Sequence, residues 1–369
     1  MEKRYINKNN VSLLGMGCMR LPKKADGSID YETTEKMIDL AYKQGINYYD
    51  TAYPYHEKQS EIVVGKILKK YPRDSFFLAD KLPIWECKSL DDAKRIFFEQ
   101  LDKCQVEYFD FYLCHALNLE TYKVYKKWDV FSFLLEMKKQ GKIRNLGFSF
   151  HDAAQNIEII ASELKWDFAQ IQFNYLDYTM QDAKKQYEIL TSKGISVVVM
   201  EPVRGGMLAN INKDAEDLFR KNRPESSNAS WALRYVASFE NIKVILSGMS
   251  NLEQLQDNLN TFNNYEELTP NEHEVIEQAK NIILGDDFIP CTGCRYCMPC
   301  PFGVNIPAIF RTYNMYGIHK DLEKFKASME KFEDSALPKN CKKCGACMRH
   351  CPQHINIPKE LEKIGELLK

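Results

Sequence analysis

Eight cysteines near the C-terminal end have the spacing of iron–sulfur ligands. They form two runs, each closing on Cys-Pro, at Cys291, Cys294, Cys297, Cys300, Cys341, Cys344, Cys347 and Cys351. The second run fits the bacterial ferredoxin pattern, in which three closely spaced thiolates hold one cluster and a fourth, before proline, reaches the other. The first run departs slightly, because two residues rather than three precede its last cysteine.

This spacing predicts two [4Fe-4S] clusters that exchange their fourth ligands. We expect Cys291, Cys294, Cys297 and Cys351 to bind one cluster, and Cys341, Cys344, Cys347 and Cys300 to bind the other. Zinc and disulfides are the alternatives. Zinc sites usually pair CxxC units, and disulfide frameworks belong to exported proteins. Both cysteine runs are followed by "NIP", which indicates an internal duplication.

A second set of reactive side chains lies at the ends of short apolar runs. Asp50, Lys81, His115 and Ser149 each close such a run, and Tyr55 lies five residues past Asp50. Opposite charges would allow the carboxylate and the ammonium to leave water together. An ammonium next to a tyrosine favours the phenolate. We therefore expect Lys81 to lower the pKa of Tyr55 towards neutrality and to make it a general acid.

The elements that must carry these groups alternate between apolar runs and amphipathic stretches. Each apolar run is rich in β-branched and aromatic residues and reads as a strand; the runs begin at Val11, Ile46, Phe76, Phe109, Asn145, Phe168, Ile195 and Ile242. Helical patterns such as "LDDAKRIFFEQLDKC" separate them. Eight strand–helix units over about 250 residues predict a (β/α)8 TIM barrel, with its chemistry at the C-terminal strand ends. An open doubly wound sheet is the rival, although no glycine-rich turn follows the first strand.

The cysteine runs mark a second domain. We expect the barrel over residues 1–284, and a smaller, mainly helical ferredoxin-like domain with two clusters over residues 285–369. The segment between the cysteine runs has a helical pattern.

The composition limits the partners. The formal net charge is -1 and no long run of like charges occurs, so the chain lacks the basic surface that nucleic acid or an anionic membrane requires. The polar N-terminus lacks the apolar stretch of a signal peptide. These features predict a cytoplasmic protein.

The chain resembles the aldo-keto reductase family from about residue 5 to residue 280. The resemblance rests on "GMGCMRLP", "DTAYPYHEKQSE", "LADKLP", "FYLCHA", "GFSF", "QIQFNY", "EPVRGGML" and "SGMSNLEQLQDN". It implies hydride transfer between NAD(P)H and an aldehyde or ketone, or the reverse alcohol oxidation. It also implies that Asp50, Tyr55, Lys81 and His115 form the catalytic tetrad. The tail resembles the ferredoxin-like domain that one branch of this family carries.

The same resemblance assigns cofactor-binding residues to the loops after the strands: Met19, Arg20, Ser149, Gln170, Met200, Arg204, Gly205, Gly206, Gly248, Gln254 and Asn258. It implies that Ser149 and Gln170 hold the nicotinamide carboxamide, that residues 204–206 hold the pyrophosphate and that Asn258 meets the adenine. Gly248 and Gln254 replace the Lys or Arg that many members place against a 2′-phosphate, so NAD and NADP both stay open. Met200 stands where many members have an aromatic ring.

Three functions are compatible with these residues. The first is NAD(P)H-dependent carbonyl reduction in the barrel, with clusters that relay electrons or only stabilise the tail. The second places a flavin in the barrel, because hydride carries two electrons whereas a [4Fe-4S] cluster passes one; the clusters would then be an obligatory relay to a ferredoxin or flavodoxin-type carrier. The third is a nicotinamide-binding redox sensor, for which a complete tetrad is unnecessary.

Overall fold

The computed structural model describes residues 1–285, 288–291, 297–351 and 355–369. The chain divides into two compact units, one of residues 1–209 and 229–269 and the other of residues 210–228 and 270–369. The domain boundary after residue 284 stays a prediction. Within the described residues, no helix is both long enough and apolar enough to span a membrane.

Parallel strands close into a barrel in the first unit. In barrel order they are β10 (Ile242–Ser247), β3 (Leu14–Gly17), β4 (Tyr48–Asp50), β5 (Phe77–Leu82), β6 (Phe109–Leu117), β7 (Ile143–Phe150), β8 (Phe168–Gln172) and β9 (Ser196–Met200). β9 pairs with β10 and completes the ring. The structure therefore confirms the predicted barrel over the open sheet.

Helices connect the strands and continue into the second unit. They are α1 (Tyr31–Lys43), α2 (Ser60–Leu68), α3 (Leu90–Cys104), α4 (Leu119–Lys127), α5 (Val130–Lys139), α6 (Ile157–Ala161), α7 (Asp177–Met180), α8 (Ala183–Ser192), α9 (Lys213–Asn222), α10 (Asn228–Ala237), α11 (Leu252–Asn263), α12 (Pro270–Leu284), α13 (Ile306–His319), α14 (Leu322–Met329), α15 (Ala346–Arg349) and α16 (Ile357–Leu367).

Helix α3 shows how local sequence sets these elements. Ser89 caps its first turn by accepting a hydrogen bond from the backbone N–H of Asp92, which satisfies one of the free donors at a helix start. Ile96, Phe97 and Leu101 recur at helical spacing and are buried. The helix covers the whole stretch predicted from its apolar period.

The first predicted strand is wrong in its extent. The apolar run from Val11 divides into strand β2 (Asn9–Ser12), which pairs antiparallel with β1 (Lys3–Ile6), and the barrel strand β3. Ile6 and Val11 pack with barrel-interior side chains such as Tyr48 and Phe111. The single apolar run thus contains residues of both β2 and β3. The β1–β2 hairpin needs its apolar residues because their side chains cover one end of the barrel interior.

The second unit has its own apolar core. Its buried members are Ile289, Val304, Ile306, Ile309, Phe310, Tyr313, Phe325, Met329, Ile355, Ile357, Leu361 and Ile364. Helices α13 and α16 both start at the isoleucine of an "NIP" sequence, and the asparagines before them, Asn305 and Asn356, have nearly the same backbone angles (φ -86°, ψ 71° and φ -75°, ψ 74°). This similarity supports the internal duplication seen in the sequence.

Candidate active site

A buried ion pair lies at the C-terminal ends of β4 and β5. The Nζ atom of Lys81 lies 2.6 Å from Oδ1 of Asp50, and both side chains are almost fully buried. The same ammonium donates to the backbone carbonyl of Thr51 at 2.7 Å. Burial alone would lower the pKa of Lys81, but the neighbouring acidic groups, Asp50 first among them, together outweigh burial and raise it. The lysine is therefore a permanent cation at neutral pH.

Tyr55 lies next to this cation, on the loop between β4 and α2. Its hydroxyl is 3.3 Å from Lys81 Nζ. The next residue, His56, has φ +50°, and its Nε2 accepts a hydrogen bond from the backbone N–H of Leu21 at 3.1 Å. A left-handed residue other than glycine costs conformational energy, so this contact helps to hold the loop and with it the tyrosine.

The expected lowering of the Tyr55 pKa is wrong for the free protein. Burial raises the pKa of Tyr55 above its usual value, and the opposing effect of the Lys81 charge only partly offsets that rise. Burial destabilises the phenolate by more free energy than the single Lys81 ammonium restores by attraction. Tyr55 is thus a protonated phenol at neutral pH and can donate a proton.

His115 faces Tyr55 as a neutral imidazole. The two ring centroids are 6.2 Å apart. Burial, followed by the positive charge of Lys81, lowers the pKa of His115 well below its usual value. Its Nδ1 is buried and has no hydrogen-bond partner among the described residues, so this ring retains hydrogen-bonding capacity.

Sequence reasoning missed Trp85, which adjoins the same histidine. Its ring centroid lies 4.9 Å from that of His115, and 48% of the residue is exposed. A half-exposed indole next to a polar cluster can contact an apolar part of a ligand. Its only sequence signal is a tryptophan four residues after Lys81.

A second missed feature is a buried polar network behind the strand that carries Lys81. Gln100 donates to Glu61 at 2.9 Å and to the backbone carbonyl of Lys81 at 3.0 Å. Asp80, which precedes the lysine, is fully buried, and burial and the neighbouring Glu61 raise its pKa. Tyr112 donates to the Gln100 carbonyl. These bonds fix the backbone of β5.

Two predicted nicotinamide ligands, Ser149 and Gln170, lie on β7 and β8. Ser149 accepts a hydrogen bond from the backbone N–H of Ala116 at 2.7 Å. Gln170 is 2% exposed, yet its Oε1 has no partner among the described residues. A buried acceptor without a partner is costly. The unpaired Gln170 oxygen therefore fits a ligand that donates an amide N–H, such as a nicotinamide carboxamide.

The predicted pyrophosphate loop follows β9 and contains an unusual backbone. Arg204, Gly205 and Gly206 have φ values of +48°, +67° and +92°. A side chain added at Gly206 would meet nothing within 4 Å, so this backbone is open to a ligand. The Arg204 side chain already forms an ion pair, because its Nε lies 3.2 Å from Oδ1 of the buried Asp177.

Arg20 lies beside this loop. Its guanidinium is 3.5 Å from Glu201, and its aliphatic part packs where a side chain at Gly248 would stand. Met19, next in the chain, is 56% exposed, whereas Met200 ends β9 half-buried. The structure thus brings Arg20, Gly205 and Gly248 together.

The two remaining predicted cofactor residues, Gln254 and Asn258, form hydrogen bonds within the protein. The Gln254 side chain accepts from the backbone N–H of Ser250 at 2.8 Å. Asn258 is buried and donates to the Ser247 hydroxyl at 2.8 Å, joining α11 to β10. These bonds leave the amide NH2 of Gln254 and the amide oxygen of Asn258 for a ligand.

The second predicted cluster set meets at one small pocket. Cys300, Cys341, Cys344 and Cys347 all line it. Burial, followed by the proximity of the other three thiols, raises the pKa of Cys347. Thiolates at this spacing need a cation to offset their mutual repulsion. The pocket thus brings the last cysteine of the first run together with three cysteines of the second run, and the crossed ligand assignment stays a prediction.

The first predicted set is described in part. Cys291, Cys297 and Cys351 are half-buried against the core of the second unit, while Cys294 lies outside the described residues. Within the described chain no three potential ligands lie close enough to hold a single metal ion.

Comparisons with known families cover nearly the whole chain. The model of the Aldo/keto reductase family matches residues 13–281, and that of a 4Fe-4S dicluster domain matches residues 290–356.

Curated relatives are oxidoreductases. The chain is 28% identical to the NADH-specific methylglyoxal reductase of Escherichia coli over 201 residues, which are 50% of this chain and 60% of that protein. It is 23% identical to the L-galactose dehydrogenase of Arabidopsis thaliana over 304 residues, or 74% of this chain and 92% of that protein.

Solved structures share the barrel. The holo form of the aldo-keto reductase AKR11C1 from Bacillus halodurans has a TM-score of 0.63 at 24% identity, covering 76% of this chain and 96% of that one. An aldo/keto reductase from Klebsiella pneumoniae in complex with NADP and acetate has a TM-score of 0.61 at 17% identity, covering 74% and 93%. These similarities confirm the fold.

Proposed function

The chain belongs to the aldo/keto reductase family, and from this premise we propose that it transfers a hydride between NAD(P)H and a small aldehyde or ketone. The observation that carries the proposal is the buried Lys81 ammonium 3.3 Å from the Tyr55 hydroxyl. A methylglyoxal reductase and an L-galactose dehydrogenase among its relatives favour a small polar carbonyl substrate or its alcohol.

Tyr55 acts as the general acid in this proposal. It donates its phenolic proton to the carbonyl oxygen of the substrate as hydride reaches the carbonyl carbon. Lys81 stabilises the phenolate that remains, and Asp50, 2.6 Å from the ammonium, holds Lys81 in place. Both charges are preorganised before the reaction, which is the condition under which such groups lower a barrier most.

His115 positions and polarises the carbonyl. As a neutral ring it donates one N–H to the carbonyl oxygen without adding a second cation beside Lys81. Trp85 stands over the same ring and excludes water from one side of the substrate.

The proposed nicotinamide site is formed by Gln170, Ser149 and the loop at Gly205 and Gly206. When bound, a nicotinamide supplies or accepts the hydride. Gln170 would direct its unpaired carbonyl to the carboxamide, and the open backbone at Gly206 would approach the pyrophosphate.

We further propose two [4Fe-4S] clusters, with the crossed ligand sets predicted from the spacing. The dicluster family match and the common pocket of Cys300, Cys341, Cys344 and Cys347 support them. Free thiols and clusters of this kind favour a reducing compartment, so we propose a cytoplasmic location.

The proposed function is tested with anaerobically purified protein. NADH and NADPH oxidation should be measured with methylglyoxal and other short aldehydes, and NAD(P) reduction with L-galactose. Turnover with any of these supports the proposal. A protein that binds NAD(P)H but reduces none of a broad carbonyl panel would instead be the redox sensor, and extracted flavin would favour the flavin-linked alternative.

The pH dependence should differ between the two directions. Because burial raises the pKa of Tyr55 above its ordinary value, its acid form persists at neutral pH and its base form is scarce. Carbonyl reduction should therefore stay level from about pH 6 to pH 9, whereas alcohol oxidation should rise with pH across that interval. Initial rates at saturating cofactor check this. An oxidation rate that is level across neutral pH would contradict it.

Loss of one cluster should leave barrel turnover in place. Cys341→Ala removes a proposed ligand of the second cluster, and we expect less iron with a kcat for carbonyl reduction within about twofold of wild type, since hydride transfer needs no one-electron relay. Cys87→Ala, at a cysteine outside both runs, is the control. A kcat that falls in proportion to iron content would make the clusters an obligatory relay.

A further inference from the structure

One cysteine of the second cluster set is exposed. Among the described cysteines of the two runs, Cys344 is the exposed one, and the other described members are half-buried. Cys300 and Cys347 line the same pocket. A cluster held there would therefore lie closest to the surface at Cys344, and a partner could approach it most closely on that side.

Two apolar residues near these cysteines, one in the pocket lining and one next to Cys347 in the chain, are also exposed. Phe302 lines the same pocket and is 42% exposed, and Met348, next to Cys347 in the chain, is 40% exposed. Aromatic residues and methionine are enriched in protein interfaces, and charged residues are depleted from the interface core. Two such residues beside an exposed cluster ligand indicate a surface that another protein covers.

The same segment is strongly basic. Residues 335–351 contain Lys339, Lys342, Lys343 and Arg349 and no acidic residue. Lys339 pairs with Asp334, and Lys343 pairs with Glu362.

The two other cations of this segment are uncompensated. Lys342, which lines the pocket, and Arg349 have no ion pair in the described part of the chain. We name the Cys344 face by five residues: Phe302, Lys342, Cys344, Met348 and Arg349.

We propose that the Cys344 face is the docking site of a small acidic one-electron carrier protein. The inference rests on the second cluster of the proposed function. The reduced carrier docks and passes one electron to the oxidised cluster, so the carrier is oxidised by one electron and the cluster is reduced by one; the reverse transfer uses the same face. Lys342 and Arg349 attract the acidic partner, and Phe302 and Met348 form its apolar contact.

Charge complementarity favours an acidic partner protein. Opposite potentials speed encounter and fix orientation, whereas like charges exclude other partners. The exposed cations gain most from a partner rich in carboxylates at low ionic strength, and that gain is screened as salt is added. An acidic carrier is therefore favoured over a neutral or basic one.

The experiment measures binding of the cluster-loaded protein to an acidic plant-type [2Fe-2S] ferredoxin. Isothermal titration under anaerobic conditions, at low and at high salt, gives Kd for wild type, Lys342→Glu, Arg349→Glu and the double variant. Lys8→Glu, an exposed lysine in the β1–β2 turn, makes the same net charge change and is the matched control.

We expect each variant of the face to weaken binding about tenfold at low salt, and the double variant to weaken it more. The control should keep the wild-type Kd, and all differences should shrink at high salt. Iron content and the electron paramagnetic resonance spectrum of the reduced cluster should be the same in every variant.

Several results would overturn the proposal. Equal weakening by Lys8→Glu would show a net-charge effect, and an unchanged Kd in the double variant, or no binding at all, would remove the docking site. A shift of the cluster potential with unchanged Kd would mean that the cations only offset cluster charge. Self-association lost in the double variant would assign the face to a second copy of this chain. Protein without iron would refute the proposed clusters as well as the docking site. Carbonyl reduction by the barrel is measured by its own assay, so that its failure can be told apart from the failure of the docking site.

Discussion

Tyr55→Phe is expected to lower the rate of carbonyl reduction by about 10² to 10⁴-fold, the usual contribution of a positioned general acid. The substitution removes the hydroxyl that lies 3.3 Å from Lys81 and leaves the aromatic ring. The fold and the affinity for NAD(P)H should be retained, because neither depends on that oxygen. Steady-state kcat with a short aldehyde, together with Kd for NADPH by fluorescence, checks both parts.

The same loop offers a matched control. Tyr53 is also buried, but its hydroxyl lies 3.3 Å from the carboxylate of Glu99 rather than near Lys81. Tyr53→Phe should therefore keep kcat within about threefold of wild type, since weak hydrogen bonds contribute little. A Tyr55→Phe protein that matches this control in kcat would refute the acid role of Tyr55.

Lys81→Met is expected to destabilise the protein by about 3–5 kcal/mol, because it leaves a buried carboxylate without its partner. Lys81 and Asp50 are 1% and 4% exposed at their side chains. Burial raises the pKa of Asp50, so the lone carboxyl can take up a proton as pH falls. The loss should thus be larger at pH 9 than at pH 6. Urea unfolding at both values measures it.

A variant that lacks both charges distinguishes the electrostatic contribution of the ion pair to stability from the contribution of side-chain packing. Asp50→Asn combined with Lys81→Met leaves no buried ion, and the double variant should be more stable than Lys81→Met alone, although inactive. If Lys81→Met unfolds at the wild-type urea concentration at pH 9, the ion pair contributes nothing and the site geometry is in error.

Much of the fold follows from local sequence. Apolar period and end signals predicted α3 from residue 90 to residue 104, and strand-like runs predicted the barrel. The run from Val11 misled because an apolar pattern does not reveal that the chain turns at Leu13 between β2 and β3. Which apolar residues cover the end of a barrel is decided by packing that local sequence does not encode.

The sequence predicted which residues form the site, but it did not predict the direction of their pKa shifts. Asp50, Lys81 and His115 close adjacent strands, so topology alone brings them together. The pKa of Tyr55 depends on burial, which sequence position does not report, and the predicted direction was therefore wrong. Arg204 was predicted to meet a phosphate, but its ion pair with Asp177 appears only in three dimensions.

The fate of the cofactor's hydride distinguishes direct hydride transfer from reduction through the clusters most sharply. Anaerobically purified protein should be given NADPH or NADH deuterated at the transferable C4 position, together with methylglyoxal or another accepted aldehyde, and the product should be analysed by mass spectrometry. Direct hydride transfer from the cofactor predicts one deuterium at the former carbonyl carbon, at a rate that falls with Tyr55→Phe. Product without deuterium, formed only when a reduced one-electron carrier is supplied, would contradict it.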